Sequence, residues 1–143
     1  MIHGVDTSLL VAREVSGHPS HGAARALVAR LLDGGDGLAL APQVLAEFIH
    51  VVTDPRRFSK PLTMTHARER AERWWTAKEI VAALPGERTA PLFLGWLREH
   101  DLGRKRLLDT LLAATYLSND IASILTTNAR DFHVFGRFKV LEP

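Results

Sequence analysis

Cysteine is absent from the chain. That excludes a disulfide framework, a zinc–thiolate site and a thiol nucleophile, so any metal must be held by oxygen or imidazole. Long apolar runs are missing as well. No stretch reaches the roughly eighteen apolar residues needed to span a bilayer, and Met1 to Thr7 lacks the basic-then-apolar layout of a signal peptide. A soluble, cytoplasmic protein with no membrane partner is expected. The seven histidines show no H-E-x-x-H or paired-ligand spacing and read as surface or packing residues. There is no G-x-S-x-G and no Walker or dinucleotide loop, so serine-hydrolase and nucleotide-loop chemistries drop out. Repeats, low-complexity segments and single-sign charge blocks are also lacking.

What is present suits one ordinary core. With 143 residues, 46% of them hydrophobic, a single domain over residues 1–143 is the expectation. Lys and Arg number 18 against 16 acids, a formal charge of +2. Were four of the acids gathered around cations, 12 would face the 18 basic residues, and that excess would favour a polyanionic partner.

Periodicity gives an alternating order of elements. Ile2 to Val5 reads as a strand, and Asp6-Thr7-Ser8 offers capping residues before a helix from Leu9 to Glu14. Ala24, Leu27, Val28 and Leu31 mark a helix over Ala23 to Leu32 that Gly34-Gly35 terminates. A strand at Leu38–Ala41 precedes a helix that begins at Pro42 and runs to about Val52. Asp54-Pro55 ends that helix in a basic loop carrying Arg56, Arg57 and Lys60. Thr65 is expected to cap a charged helix ending near Trp75. Further strands are expected at Glu79–Leu84, Ser123–Thr126 and Phe138–Leu141, and further helices at Thr89–His100 and Leu107–Leu117. Strands alternating with helices predict an α/β fold, a compact parallel sheet flanked by helices. Trp74, Trp75, Phe93 and Trp96 fall at helical spacings more typical of core than of a partner surface.

The acids stand out once placed on this map. Asp6 falls where the first strand ends, the position from which α/β sheets build their ligand crevice, although a helix cap would use the same residue. Glu47 shares one helix side with Val44, Phe48 and Val51. A carboxylate pointing coreward must be paired, protonated, at a pocket edge or bound to metal, and an arginine partner is as good a reading as a cation. Asp109 lies among Leu107, Leu108, Leu111 and Leu112 near a helix start, and reads as largely buried. Arg104-Lys105-Arg106 precedes it at a helix N-terminus, where the dipole disfavours cations. A phosphate polyanion would resolve that conflict, and a solvated charge run is the alternative. Thr126-Thr127-Asn128-Ala129-Arg130-Asp131 follows the apolar strand Ile124-Leu125, again at a strand's carboxyl end, in a segment equally suited to a capped turn. Converging carboxylates from such distant segments would repel one another unless a hard cation lay between them. Magnesium or manganese would fill that place and serve metal-assisted phosphodiester hydrolysis.

Four segments together carry a family resemblance: Val5-Asp6-Thr7-Ser8-Leu9-Leu10, Leu45-Ala46-Glu47-Phe48, Leu108 to Ala114, and Thr126 to Phe132. In this order and at these separations the chain resembles the PIN-domain VapC toxins over nearly its whole length. The resemblance implies a PIN-like α/β/α sandwich and a ribonuclease dependent on magnesium or manganese. It further implies that the enzyme cuts structured RNA, such as tRNA or rRNA, to inhibit translation. A cognate VapB-type antitoxin and a homodimer are implied as partners. Asp6, Glu47 and Asp109 match the family's three firmest acidic positions. At the fourth, where many relatives carry an acid, stands Asn128, with Asp131 three residues later; both are expected at the metal pocket and Asp131 is carried over as a candidate catalytic acid. Arg104, Lys105, Arg106 and Arg130 are candidate RNA contacts. Two other readings stay open. One is a catalytically degenerate PIN fold that binds RNA or protein. The other is a haloacid-dehalogenase-like phosphatase, which wants a second Asp where this chain has Ser8.

Overall fold

Five short strands, Ile2–Val5 (β1), Gly37–Leu40 (β2), Ile80–Ala82 (β3), Ser123–Leu125 (β4) and Lys139–Leu141 (β5), form one sheet in a computed structural model that describes residues 1–143. All pairs are parallel, in the order β3-β2-β1-β4-β5. Helices Thr7–Glu14 (α1), His21–Asp33 (α2), Pro42–Val52 (α3), Met64–Thr76 (α4), Thr89–Glu99 (α5), Leu107–Ser118 (α6) and Arg130–His133 (α7) make the connections. The expected parallel α/β architecture is therefore what the chain adopts. No helix is long and apolar enough to cross a membrane.

The strand order reverses between β1 and β4, which opens a crevice beyond their carboxyl ends. Val5 pairs with Leu125, and the Asp6 amide continues the ladder by donating to the Leu125 carbonyl at 2.9 Å. Asp6 and Thr126 are thereby held side by side at the rim. Both central strands are buried from His3 and Ser123 onward, as sheets covered on two faces require.

Tyr116 of α6 fixes how closely that helix approaches the sheet. Its buried hydroxyl donates to the Val5 carbonyl at 2.6 Å and lies 3.2 Å from that of Ala39. The ring lies so flat on β1 that a Cβ built at Gly4 would meet it at 2.5 Å. At the opposite end of the sheet, buried His3 joins Ser123 Oγ at 2.7 Å and Asp36 Oδ2 at 3.2 Å, and the terminal ammonium of Met1 also pairs with Asp36. Trp96 is buried and stacks on Phe135 with centroids 4.5 Å apart, as a core residue.

Local chemistry moved some boundaries. The α4 cap is Thr63, not Thr65, because the Thr63 hydroxyl is the one that reaches the amide of His66, at 3.1 Å. Gly35, at φ +88°, carries the chain out of α2 in a conformation that side chains resist. The outer strands β3 and β5 are shorter than their apolar runs, and the segment expected as a turn after β4 winds into α7.

Candidate active site

The crevice at the ends of β1 and β4 is a cleft of about 570 Å³ lined by Asp6, Glu47, Asp109 and Asn128, together with Thr7, Ser8 and Thr127. Four candidates from four separate segments thus meet in one place.

Asp6 occupies the N-cap position of α1, yet its side chain makes no cap bond. Its Oδ2 instead accepts from the hydroxyls of Ser8 and Thr126, both at 2.7 Å. Ser8 Oγ in turn accepts from the amide of Thr127 at 3.0 Å, and Thr126 Oγ1 from that of Asn128 at 2.9 Å. These bonds lock the carboxylate's orientation and leave Oδ1 without a side-chain donor. Burial raises the Asp6 pKa, and the two hydroxyl bonds oppose that rise. The commitment of Ser8 to Asp6 also removes the phosphatase reading, since the residue two positions on is a clamp and no second acid.

Glu47 reaches the cleft from the inward side of α3, half-buried, with Gln43 Nε2 at 3.4 Å as a weak donor. Burial raises its pKa, and the negative charge of Asp6 adds to the rise. No arginine pairs with it. Asp109 departs from the expected burial: its side chain is 30% exposed, because the first turn of α6 overhangs the cleft mouth and leaves Leu107 and Leu108 in solvent. Its carboxyl is nonetheless pushed up to about 6, first by burial and then by the charges of Asp6 and Asp131.

Asn128 is exposed on the cleft wall, whereas Asp131, on α7, is turned towards Arg106 and does not line the cleft. Arg106 lies between the two acids. Its Nε is 3.7 Å from Asp109 Oδ2, its Nη1 4.0 Å from Asp131 Oδ1, and Nη2 donates to the Asp131 carbonyl. The three basic residues therefore divide. Arg104 and Lys105 stand exposed on a short 3-10 turn, as does Arg130 on α7, while Arg106 is held within the site. Sequence reasoning passed over Ser8 and Thr126 as site residues. The signal was their placement beside Asp6 on adjoining strand ends.

Asp6 and Glu47 have no ion-pair partner, and the pKa values of Asp6, Glu47 and Asp109 all rise. The hydroxyl of Thr7, buried in the cleft, makes no well-formed hydrogen bond but lies close enough to Glu47 to oppose the rise in its pKa. No three carboxylates or imidazoles close in tightly enough to enclose an ion by themselves. The donor set is nevertheless all oxygen, and Asp6 and Glu47 have no cation of their own, which is the chemistry a hard divalent cation prefers.

Comparison with known proteins identifies the family. The PIN domain family model matches residues 5–137. VapC ribonuclease Mb2897 of Mycobacterium bovis is 31% identical over 139 residues, covering 97% of this chain and 93% of its own. Ribonuclease VapC43 of Mycobacterium tuberculosis aligns to the same extent, at 31% identity. Among solved structures, VapC20 of Mycobacterium tuberculosis, a toxin that cleaves the sarcin–ricin loop, superposes with a TM-score of 0.73 at 19% identity over 100% of both chains. VapBC2 of Rickettsia felis, solved with a DNA fragment from its promoter, gives 0.71 at 17% identity over 100% of this chain and 99% of that one. With its fold, its cleft and 133 of its 143 residues inside the family match, the chain belongs to the PIN-domain family, among the VapC ribonucleases.

Proposed function

We propose that this protein is the toxin of a toxin–antitoxin pair, an endoribonuclease that hydrolyses RNA phosphodiester bonds and so blocks translation. The observation that carries the reading is the convergence of Asp6, Glu47 and Asp109 in one cleft with no cation paired to the first two. These three acids would hold magnesium or manganese, with Asn128 as a neutral oxygen ligand and Asp131 supplying charge from behind. When bound, such a cation orients the attacking water and neutralises charge developing on the phosphate.

The chain's own groups have distinct tasks. Ser8 and Thr126 fix the rotamer of Asp6, and the Thr7 hydroxyl faces Glu47. Asp109 exchanges its proton for the cation, so loading falls as pH drops through about 6. A VapB-type antitoxin is the partner this reading entails, as in the VapBC2 complex, a second copy of the chain is a further partner, and the protein acts in the cytoplasm.

Purified protein incubated with total RNA, with magnesium or with chelator, tests the activity, and sequencing RNA 5′ ends after induced expression tests the target. New ends at one tRNA or rRNA site, dependent on Asp6 and Asp109, are the expected result. Wild-type protein that cuts no RNA in magnesium or manganese would sink the reading.

A further inference from the structure

Beside the cleft runs a second groove of about 610 Å³ between the α1–α2 connection and the α3–α4 loop. The two are continuous, for His18, Arg57 and Phe58 line both. Arg57, Lys60 and Arg70 put positive charge along it, against Glu14 as its single acid. Glu14 is already engaged: its carboxylate accepts from Trp74 Nε1 and lies 3.5 Å from Arg70 and 3.8 Å from Arg13. Arg70 and Glu14 offset each other, and Arg57 and Lys60 leave the groove's formal charge balance positive.

Its far wall is built in advance. Asp54 accepts the amide of Arg56 on its carboxylate at 2.9 Å and those of Arg57 and Phe58 on its carbonyl, and Leu62 donates back to the Val52 carbonyl at 2.9 Å. This holds Phe58, half-buried against the core edge, at the junction of the two grooves with an aromatic ring at the wall. Arg57 has a weak 3.6 Å contact with Asp54, and Lys60 is exposed with no ion pair. A positive track with an aromatic platform at its entrance is the arrangement that binds single-stranded nucleic acid, bases on the ring and phosphates on the cations.

We infer that single-stranded RNA flanking the scissile phosphate leaves the cleft along this groove, with a base against Phe58 and phosphates against Arg57 and Lys60. The inference rests on the ribonuclease reading and adds the path that the substrate takes.

Fluorescence anisotropy with labelled oligouridines of three and twelve nucleotides tests it, with calcium replacing magnesium to suppress cleavage. Wild-type protein should bind the twelve-mer about tenfold more tightly than the three-mer. Phe58→Leu should weaken twelve-mer binding about fivefold. Lys60→Ala, at an exposed position that the fold does not depend on, should reduce the slope of log affinity against log salt by about 0.7. If both variants bind the twelve-mer as wild type does, or if only loss of Arg104 and Lys105 flattens the salt dependence, the inference is overturned and the groove is left to a protein partner. Failure of the ribonuclease reading itself shows separately, as absence of metal-dependent cleavage of total RNA by the wild-type protein.

Discussion

The Thr126 hydroxyl donates to Asp6 Oδ2 at 2.7 Å, joining the ends of two neighbouring strands whose residues are 120 apart in sequence. The bond does two jobs, since the same oxygen accepts the Asn128 amide and so shapes the turn that brings Asn128 to the cleft. Thr126→Val keeps the shape and removes both interactions. Stability should fall by about 1.5–3 kcal/mol, the usual loss for a hydrogen bond to a charged group. Magnesium affinity should weaken as Asp6 loses one of its two hydroxyl donors. Urea unfolding and metal titration measure the two effects, and unchanged values in both would make the bond incidental.

Asp109 carries a stability cost that depends on pH. Its carboxyl titrates near 6 in the folded protein against 3.8 for the ordinary group, so in metal-free protein its contribution is fully present below about pH 3.8 and is lost as pH rises through about 6. Asp109→Asn should therefore be more stable than the parent at pH 7.5 by about 1–2 kcal/mol, after allowance for partial exposure, and equal to it near pH 3.5. Magnesium should stabilise the parent and not the variant. Thermal melts at the two pH values decide this, and RNA cleavage should be lost throughout.

Gly4 is set by Tyr116. A methyl group at Gly4 meets the clamped ring at 2.5 Å, and the ring cannot retreat without breaking its bonds to the Val5 and Ala39 carbonyls. Gly4→Ala should cost about 1–3 kcal/mol or more, as overpacking does. Gly95→Ala, in α5 with open space around it, should instead be neutral or stabilising by about 0.5–1 kcal/mol. Melting temperatures of the two variants should move in opposite directions, and equal shifts would remove the steric argument.

Charge separates the two residues at the fourth position. Asn128→Ala removes a neutral ligand, whereas Asp131→Asn removes a negative charge strong enough to raise Asp109. Calorimetric titration should find magnesium binding weaker in Asp131→Asn than in Asn128→Ala, and tighter than wild type in Arg106→Gln, which withdraws the competing guanidinium. Wild-type affinity in Asp131→Asn would leave that residue as a structural partner of Arg106.

The architecture was legible because each central strand is a short apolar run bounded by punctuating residues, and because Gly35, Pro42 and Pro91 sit where helices stop or start. Asp6 and Glu47 were legible as acids at positions that solvation alone does not explain. The partial exposure of Asp109 was not, since apolar neighbours in sequence say nothing about whether a helix's first turn overhangs solvent. Nor did sequence separate Arg106 from Arg104 and Lys105. One reaches two acids and the others reach water, a difference of helix phase and tertiary contact. Thr63 and Thr65 offered the same capping chemistry, and only the path of the backbone chose between them.

The parallel pairing of β1 with β4 has a consequence for the order in which the protein is made. A ribosome synthesising this chain releases Asp6 and Glu47 long before Thr126 and Asn128, so β1 has only β2 beside it and Asp6 lacks one of the donors that orient it. Such a long-range closure is slow to form and comes late. The site is thus incomplete until the C-terminal strands have been made, and a chain stopped after Asn119 should neither cut RNA nor show magnesium-dependent stabilisation.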